Sequence, residues 1–308
     1  MSGVTTDIAR PSYLELLDAG ELDRRVVAAR DLLRRCVLCG RQCKVDRVAR
    51  PEGAGCRTGV RARVDGTGFD RDVEPCLRGE LGSASVRFSW CNLRCRHCPT
   101  WQVHHNGQGR EVDGETLAGM MLDLQERGAA HLRLHRASHV IPHFLEALAI
   151  AGRRGLRLPI VFDTGGYDSP VGLGLLDGVV DVYVAEMKFG DSASARAIAR
   201  VKNYASTNRR AIAEMHRQVG DLQFDGSGAA VRGLLVRHLV LPNAMANTGQ
   251  VLKFLAERVS GGTFIHLMAG YEPVFRAGEI AQLGRATTAQ ELERAVALAD
   301  RYGLQRRV

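Results

Sequence analysis

Apolar residues along the chain recur with two different spacings. Short continuous runs are typical of buried strands, and longer stretches with apolar positions three or four residues apart are typical of helices. After Gly82 the strand-like runs cover residues 85–89, 131–135, 159–164, 180–187, 234–241 and 263–268. The helical stretches cover residues 115–127, 142–154, 169–176, 208–219, 248–259 and 289–302. This alternation predicts βαβ units, and therefore an α/β fold whose parallel sheet curves into a partial barrel.

The chain before Gly82 has a different pattern. Apolar positions among roughly the first 30 residues are spaced as in a helix. Residues 36–82 are rich in Gly, Arg and Asp, which predicts loops, and they contain too few apolar residues to pack a core unaided. Four cysteines in this stretch can supply the missing stability by binding a metal. We therefore expect an N-terminal helical and cysteine-rich extension over residues 1–82 and a barrel over residues 83–308.

The net charge of the 308-residue chain is +8, which raises the question of a nucleic-acid partner. Only four of the 42 basic residues are lysines, and the arginines are scattered, often beside acidic residues. Such scatter is typical of a solvated surface, so we expect no nucleic-acid partner. No apolar run approaches the roughly 18 residues that span a bilayer, and residues 1–17 lack a secretory signal pattern. We expect a cytoplasmic protein without a membrane partner.

Almost every predicted strand ends in polar or metal-binding residues. In parallel α/β sheets the ligand lies at the carboxyl ends of the strands. In chain order these ends carry Cys91–Cys98, His135 with Arg136, residues 163–166, Glu186 with Lys188, Arg237 with His238, and residues 268–271. We expect the functional site to lie there.

Three cysteines follow the first of these strands with the spacing C-x3-C-x2-C: Cys91, Cys95 and Cys98. Cysteine is the usual ligand of iron–sulfur clusters, and three thiolates on a four-iron cluster leave one iron open to a substrate. A zinc site would instead need a fourth ligand, for which His97, His104 and His105 are the candidates.

With this triad the chain resembles the radical S-adenosylmethionine (SAM) enzymes, whose mark is C-x3-C-x-Φ-C at the end of the first strand of a partial (β/α)6 barrel. His97 stands at the Φ position, where the family usually places an aromatic residue against the adenine. A closer resemblance is to an iron–sulfur branch related to pyruvate formate-lyase activating enzymes. The segments that carry it are residues 74–77, 89–95, 163–169, 177–183, 215–220 and 237–242.

The resemblance implies a definite chemistry. SAM would chelate the open iron of a 4Fe-4S cluster, which in its reduced form cleaves SAM to methionine and a 5′-deoxyadenosyl radical that abstracts hydrogen from a substrate. The substrate would be a small molecule or a protein, with glycyl-radical-enzyme activation as one version. An electron donor such as flavodoxin or ferredoxin would reduce the cluster.

The resemblance also suggests contacts to SAM. Glu186 and Lys188 match an acid-x-lysine pair that contacts SAM, and Arg237 matches an arginine near its carboxylate. Asp163 or Thr164 would reach the ribose hydroxyls, although Asp163 is equally suited to capping the turn at residues 165–166. The alternative is that Glu186 and Lys188 form a purely structural ion pair at a strand end.

The sequence departs from the family at three places. The second strand, which usually ends in a Gly-Gly-Glu-like motif, ends here at His135 and Arg136, where His135 would substitute in holding the SAM amino group. Trp90 replaces a small glycine before the first cysteine of the triad, and Glu186 replaces the commoner aspartate. The altered end of the second strand suggests, as an alternative, a non-catalytic metal-binding interaction protein that has lost SAM turnover.

The N-terminal cysteines Cys36, Cys39, Cys43 and Cys56 form a complete four-thiolate set. Such a set is typical of a closed site, either structural zinc or an auxiliary iron–sulfur cluster, and spacing does not choose between them. With the basic pI it also suggests a third hypothesis, a zinc-dependent nucleic-acid binder. We expect Cys76 to be a small packed residue.

Four histidines recur every four residues at positions 131, 135, 139 and 143. On one helix they would form a metal stripe, but residues 131–135 are predicted as a strand and Pro142 interrupts any continuous helix. We therefore expect no histidine metal site, with His139 the better single candidate near the site mouth.

Overall fold

The computed structural model describes residues 10–307, so the predictions for residues 1–9 and for Val308 lie outside the described chain. Ten strands are assigned within it: β1 Ala62–Asp70, β2 Ser83–Phe88, β3 Arg110–Val112, β4 Leu132–His135, β5 Ile160–Thr164, β6 Val182–Glu186, β7 Gln223–Phe224, β8 Ala230–Leu239, β9 Phe264–Met268 and β10 Gln305–Arg307. The six strands predicted after Gly82 correspond to β2, β4, β5, β6, β8 and β9.

The helices lie between the strands as the pattern predicts. They are α1 Tyr13–Asp18, α2 Glu21–Asp31, α3 Trp101–His104, α4 Gly114–Glu126, α5 Ile141–Arg153, α6 Pro170–Gly174, α7 Ser192–Ala199, α8 Tyr204–Val219, α9 Thr248–Arg258 and α10 Ala289–Arg301. Short 3-10 turns cover Leu32–Arg35, Pro51–Gly53, Pro75–Leu77, Ala137–His139, Pro242–Ala244, Ala277–Glu279 and Ala281–Leu283. A capping box of Thr288 and Glu291 begins α10. No helix in residues 10–307 has the length and apolar character needed to cross a membrane.

The sheet has the order β10-β9-β8-β6-β5-β4-β2-β1-β3, and β7 pairs with β8. From β2 to β10 every neighbouring pair on this path is parallel, and β2, β4, β5, β6, β8 and β9 follow one another in chain order. Strand β1 is antiparallel to β2, and β3 is antiparallel to β1. The predicted α/β fold with a parallel partial barrel is confirmed.

The two faces of the central strands pack against different partners because side chains alternate along a strand. Phe162 and Tyr183 belong to the large core that the strands share with the helices. Their neighbours Val161, Val182 and Val184 belong to a separate cluster on the other face. Both β5 and β6 are buried at every residue, as expected for parallel strands covered on both sides.

The predicted loop character of residues 36–82 is wrong for Ala62–Asp70, which forms β1 and pairs with β2. The following residues 73–77, here called the plug segment, contribute Val73, Cys76 and Leu77 to the cluster on the second face of the sheet. Cys76 is buried there, as predicted. The plug segment brings part of the N-terminal region against the inner strands and supplies one wall of the site described next.

Candidate active site and metal centres

A cavity of about 740 Å³ lies at the carboxyl ends of the parallel strands. It brings together five of the residues predicted to bind SAM, namely His97, His135, Glu186, Lys188 and Arg237. The plug segment lines another part of it with Val73, Glu74 and Pro75. Asp163 and Thr164 do not line the cavity, because both are completely buried at the end of β5.

The loop that carries the cysteine triad follows β2 and is held by backbone hydrogen bonds to the end of α7. Arg94 N donates to Ala199 O at 3.3 Å and Arg96 N donates to Ile198 O at 2.9 Å. On its other side, Asn92 Nδ2 donates to Tyr167 O at 2.8 Å. The loop is therefore anchored at both sides before any cofactor binds.

The three triad sulfurs lie close enough to affect one another electrostatically. Burial raises the pKa of Cys95 to about 12, with Cys98 and Cys91 adding to the rise and Lys188 opposing it. Burial also raises the pKa of Cys98. Within residues 10–307 no three His, Cys, Asp or Glu side chains converge tightly enough to hold a single metal ion. In a 4Fe-4S cluster the cysteine thiolates bind different irons, so three neighbouring thiols on one anchored loop fit such a cluster. Binding of the cluster would displace the protons of the thiols.

Of the three histidines considered as a fourth zinc ligand, the structure brings His104 to the triad. Its Nδ1 lies 3.5 Å from Cys98 Sγ and 2.9 Å from Thr100 Oγ1. His97 instead lines the cavity, and His105 lies on the outer surface of the loop with its ring edge-to-face against Phe275.

His97 lies between two aromatic rings. Its ring is edge-to-face with Tyr271 at 5.9 Å and with Phe189 at 6.5 Å. Burial, followed by the nearby Lys188 and Arg136, lowers the pKa of His97 to about 3, so the ring is neutral. Among the described residues its buried Nδ1 has no hydrogen-bond partner, which leaves one polar atom for a ligand.

Glu186, at the end of β6, forms ion pairs with two cations. Arg136 contacts one carboxylate oxygen and Lys188 contacts the other. Burial, with Arg136 as the next cause, lowers the pKa of Lys188 to about 8. The end of β4, which departs from the usual motif, is therefore linked to the end of β6, because Glu186 is the counter-charge of Arg136.

Arg237 and Asp163 belong to a second, larger charge network at the cavity wall, in which Arg237 lines the cavity and Asp163 is completely buried. Arg237 is bidentate to Glu74, with Nε–Oε1 and Nη2–Oε2 distances of 2.6 and 2.5 Å, and its Nη1 donates to Asp163 Oδ2 at 2.9 Å. Arg133 binds the same Asp163 oxygen at 2.7 Å, and His266 Nδ1 lies 2.7 Å from Glu74 Oε1. Although burial raises the pKa of Asp163, Arg133 and Arg237 lower it more, to well below its usual range.

This network corrects the interpretation of Asp163 as the cap of the turn at residues 165–166. The cap is Thr164, whose Oγ1 accepts from Gly166 N at 3.1 Å and donates to Asp168 Oδ2 at 2.6 Å. Gly166 adopts φ +69°, and a Cβ there would lie 2.1 Å from Glu186 O, so this turn requires glycine.

Sequence reasoning missed Glu74, Arg133 and Asp168 as parts of the site. Arg133 lies within the apolar run of β4, a position where a charge needs a buried partner. Glu74 belongs to one of the segments that carry the family resemblance. No signal in the sequence connected it to Arg237.

His139 does not line the cavity, contrary to its prediction as a candidate near the mouth. It is buried, its Nε2 lies 2.9 Å from Ser89 O, and its carbonyl accepts from Arg47. The four histidines do not form a stripe, because residues 131 and 135 flank or end β4 and residue 143 lies in α5.

The N-terminal cysteines are gathered in one region of the structure. Cys36, Cys39 and Cys56 are buried and Cys43 is exposed. A hydrogen bond from Cys43, together with the nearby Arg47, lowers the pKa of Cys36 to about 5 against the opposing effect of burial. Burial raises the pKa of Cys39 to about 12, and the neighbouring Cys56 adds to the rise.

Arg47 is a completely buried guanidinium beside these thiols. It donates to Thr58 O at 2.6 Å and to His139 O at 2.9 Å, and its Nη1 lies 3.6 Å from Cys36 Sγ. No ion pair with a carboxylate is found for it among the described residues. Since a buried charge needs compensation, thiolates around Arg47 fit a negatively charged metal–thiolate centre.

The two cysteine groups lie next to each other. Arg41 Nε donates to Asn92 O at 2.5 Å, and Arg94 Nη2 donates to Gly55 O at 2.9 Å. Gly40 N donates to Tyr167 O, the same carbonyl that holds Asn92. The segment with the first cysteines thus packs against the triad loop.

The chain is similar to known proteins in sequence and in structure. An uncharacterized protein of Methanocaldococcus jannaschii is 25% identical over 302 residues, which cover 94% of this chain and 82% of that protein. No family model matches the chain.

Solved structures that resemble the chain include two enzymes and one protein bound to S-adenosylmethionine. Methylornithine synthase (PylB) is 14% identical with a TM-score of 0.48, covering 95% of this chain and 73% of that one. A radical SAM methyltransferase from Sphaerobacter thermophilus is 12% identical with a TM-score of 0.45, covering 73% and 65%. SuiB of Streptococcus suis bound to S-adenosylmethionine is 9% identical with a TM-score of 0.48, covering 71% and 48%. The chain thus spans about half the length of SuiB.

In the structure the parallel strands follow one another in chain order and the triad lies directly after the first of them, which is the arrangement that the resemblance seen in the sequence implies.

Proposed function

We propose that the chain is a radical SAM enzyme that cleaves SAM reductively at a 4Fe-4S cluster held by Cys91, Cys95 and Cys98. The observation that carries this proposal is the position of Lys188. It lines the cavity, pairs with Glu186 and lies near all three triad sulfurs. A cluster on those sulfurs and a ligand in the cavity would therefore be neighbours.

When bound, the reduced cluster supplies the electron that breaks a carbon–sulfur bond of SAM. The chain's own residues would orient the nucleotide and exclude water. The neutral His97 ring offers its free Nδ1 to the adenine, and Glu186 with Lys188 offers one anion and one cation to the methionine end. His135 lines the same cavity. Arg237, which lines the cavity, would lie near the SAM carboxylate, and the buried Asp163 and Thr164 would hold the strand ends in place.

We also propose a second metal centre at Cys36, Cys39, Cys43 and Cys56, with an iron–sulfur cluster ahead of zinc. The buried Arg47 supports this second centre, because a metal centre with four thiolates carries a negative charge that would compensate the guanidinium. The division into a metal-bearing extension over residues 1–82 and a barrel over 83–308 belongs to the same proposal.

The cavity volume of about 740 Å³ lies in the range of small-molecule sites and supports a small substrate or a single protein side chain beside SAM. A flavodoxin or ferredoxin in the cytoplasm would supply electrons. Hydrogen abstraction from a glycyl-radical enzyme is one version of the reaction.

The test is iron counting combined with SAM cleavage. Protein purified without oxygen should be brown, with about four irons per chain for the triad and more if the second centre also holds iron. Incubation with SAM and dithionite should release 5′-deoxyadenosine. A variant with Cys91, Cys95 and Cys98 all changed to Ala should lose about four irons and all SAM cleavage.

Two outcomes would contradict the proposal. Colourless protein that holds only zinc would favour a zinc-dependent module. Iron at the triad without release of 5′-deoxyadenosine would favour the non-catalytic interaction protein.

A further inference from the structure

Six arginines that are scattered along the sequence converge on one groove of about 460 Å³. They come from the N-terminal cysteine segment, the triad loop, the end of α7 and the loop after β9. They are Arg41, Arg57, Arg94, Arg96, Arg200 and Arg276. The nine described residues that line the groove include no carboxylate. Glu279 lies beside it, paired with Arg276 and with Arg96 at 3.5 Å.

The charge in this groove is only partly compensated within the protein. The ring of Trp90 lies below Arg57 and Arg94, whose guanidinium carbons are 5.4 and 5.7 Å from its centroid. Burial, with Arg57 as the next cause, lowers the pKa of Arg94. Like charges that repel one another on a folded surface are stabilised when an anionic partner binds. Guanidinium groups are well suited to carboxylates.

The groove and the cavity are lined by different residues of the triad loop. Arg94 and Arg96 line the groove, whereas His97 lines the cavity, and the two openings share no lining residue. Arg94 also contacts the backbone of Gly55 beside Cys56 and lies near Cys91. A partner bound in the groove would therefore be next to both cysteine groups without blocking the cavity.

We propose that this arginine groove docks a small acidic electron-transfer protein. The inference rests on the proposed function, because it names where the electron enters. The reduced donor would lose one electron to the cluster held by the triad cysteines, and the cavity, which shares no lining residue with the groove, would remain free for SAM and the substrate.

The experiment measures binding and SAM cleavage in the complete, metal-loaded protein. The probes are an acidic flavodoxin and an acidic ferredoxin, each titrated at about 0.01 M and about 0.1 M salt, where the screening length falls from about 30 Å to about 10 Å. The test variant combines Arg57→Gln with Arg276→Gln. The matched control combines Arg258→Gln with Arg294→Gln, two exposed arginines on α9 and α10 that remove the same charge elsewhere.

At low salt the test variant should bind its donor roughly tenfold more weakly than the unaltered protein, and the control should bind as the unaltered protein does. SAM cleavage driven by the reduced donor should fall in the test variant, while cleavage driven by dithionite stays unchanged. Equal donor binding by both variants overturns the inference. Binding of single-stranded RNA in place of either donor also overturns it.

The two proposals fail in different ways. If the unaltered protein does not cleave SAM with dithionite, the proposed function is wrong, whereas the binding comparison still decides whether the groove is a docking surface.

Discussion

Arg136 and Glu186 form an ion pair that links the ends of β4 and β6 across β5. Gly165, directly after β5, lies beside both cations: a Cβ there would be in ordinary contact with Arg136 Nη1 at 3.7 Å and Lys188 Cε at 3.9 Å, and in a tighter contact with Leu93 Cδ1 at 3.1 Å. Arg136 is thus held by a carboxylate two strands away. The ion pair makes Glu186 the shared counter-charge of Arg136 and Lys188.

We predict that Glu186→Gln destabilises the protein by about 3–5 kcal/mol, because it leaves two largely buried cations without their carboxylate. Arg136→Gln should cost only about 1–2 kcal/mol, because Glu186 keeps Lys188 as its partner. Urea unfolding of both variants measures the difference. A loss for Arg136→Gln as large as that for Glu186→Gln would contradict the shared role of the carboxylate.

The second prediction concerns Arg237 and Glu74. Burial raises the pKa of Glu74, but hydrogen bonds from Arg237 and His266 lower it more, to well below its usual range. Arg237→Gln should therefore cost about 3–5 kcal/mol, since it removes a cation from two buried carboxylates. A double-mutant cycle with Glu74→Gln should show a coupling energy of about 2 kcal/mol by urea unfolding. Simple addition of the two single effects would show that the bidentate contact is not formed.

The third prediction concerns Arg47 and the N-terminal thiols. Arg47→Met removes the buried positive charge while keeping an apolar chain, so the second centre should lose its metal faster to a chelator and the triad iron should be retained. Arg47→Lys should restore part of the retention. Metal counting per chain measures both variants. Unchanged metal release in Arg47→Met would show that the guanidinium does not compensate the centre.

The fourth prediction follows from the contact of Trp90 with Gly107. Trp90 adopts φ +65°, a conformation that favours glycine, which explains why the family usually has glycine at this place. A Cβ on Gly107 would lie 2.3 Å from the Trp90 ring. Gly107→Ala should therefore displace the tryptophan before Cys91, destabilise the protein by about 1–3 kcal/mol and reduce the triad iron.

Gly119 in α4 offers the matched control, because nothing described lies within 4 Å of a Cβ placed there. Gly119→Ala should stabilise the helix by about 0.5–1 kcal/mol and leave the iron content unchanged. Equal behaviour of the two alanine variants in thermal unfolding would contradict the proposed contact.

The parallel strands and the triad could be predicted because each is defined by residues that are close together in the sequence. The strands β5 and β6 are continuous apolar runs, and the three cysteines lie within eight residues. Strand β1 was missed because it is only half-buried and contains Gly66 and Gly68, two residues that weaken a strand pattern. The side chain of Arg87 covers both glycines, which no local pattern reveals.

The charge networks could not be predicted because their members are far apart along the chain. Glu74 and Arg237 are separated by 163 positions and meet only when the plug segment packs inside the sheet. The arginine groove could not be predicted for the same reason. Its residues are scattered in sequence, and only the packing of the N-terminal segment on the triad loop brings them together.

The last prediction concerns acid stability. Burial is the first cause of a lowered pKa at eight histidines, His97, His104, His105, His131, His135, His139, His143 and His238. In the unfolded chain a histidine titrates near pH 6.5, so below that pH the unfolded state binds more protons than the folded state. The free energy of unfolding must therefore fall as the pH decreases from about 6.5, by up to about 1.4 kcal/mol per pH unit for each histidine.

The slope of unfolding free energy against pH, measured by urea unfolding between about pH 7 and pH 5, checks this sign. His131→Gln serves as the single-site comparison, because His131 contacts Ser83 Oγ at 2.8 Å away from the cavity and burial lowers its pKa to about 4. His131→Gln should reduce the slope by up to the contribution of one proton, about 1.4 kcal/mol per pH unit, because the variant lacks a ring that is neutral in the folded state and protonated in the unfolded state. A stability that stays constant over this interval would mean that these histidines are already protonated or solvated in the folded protein.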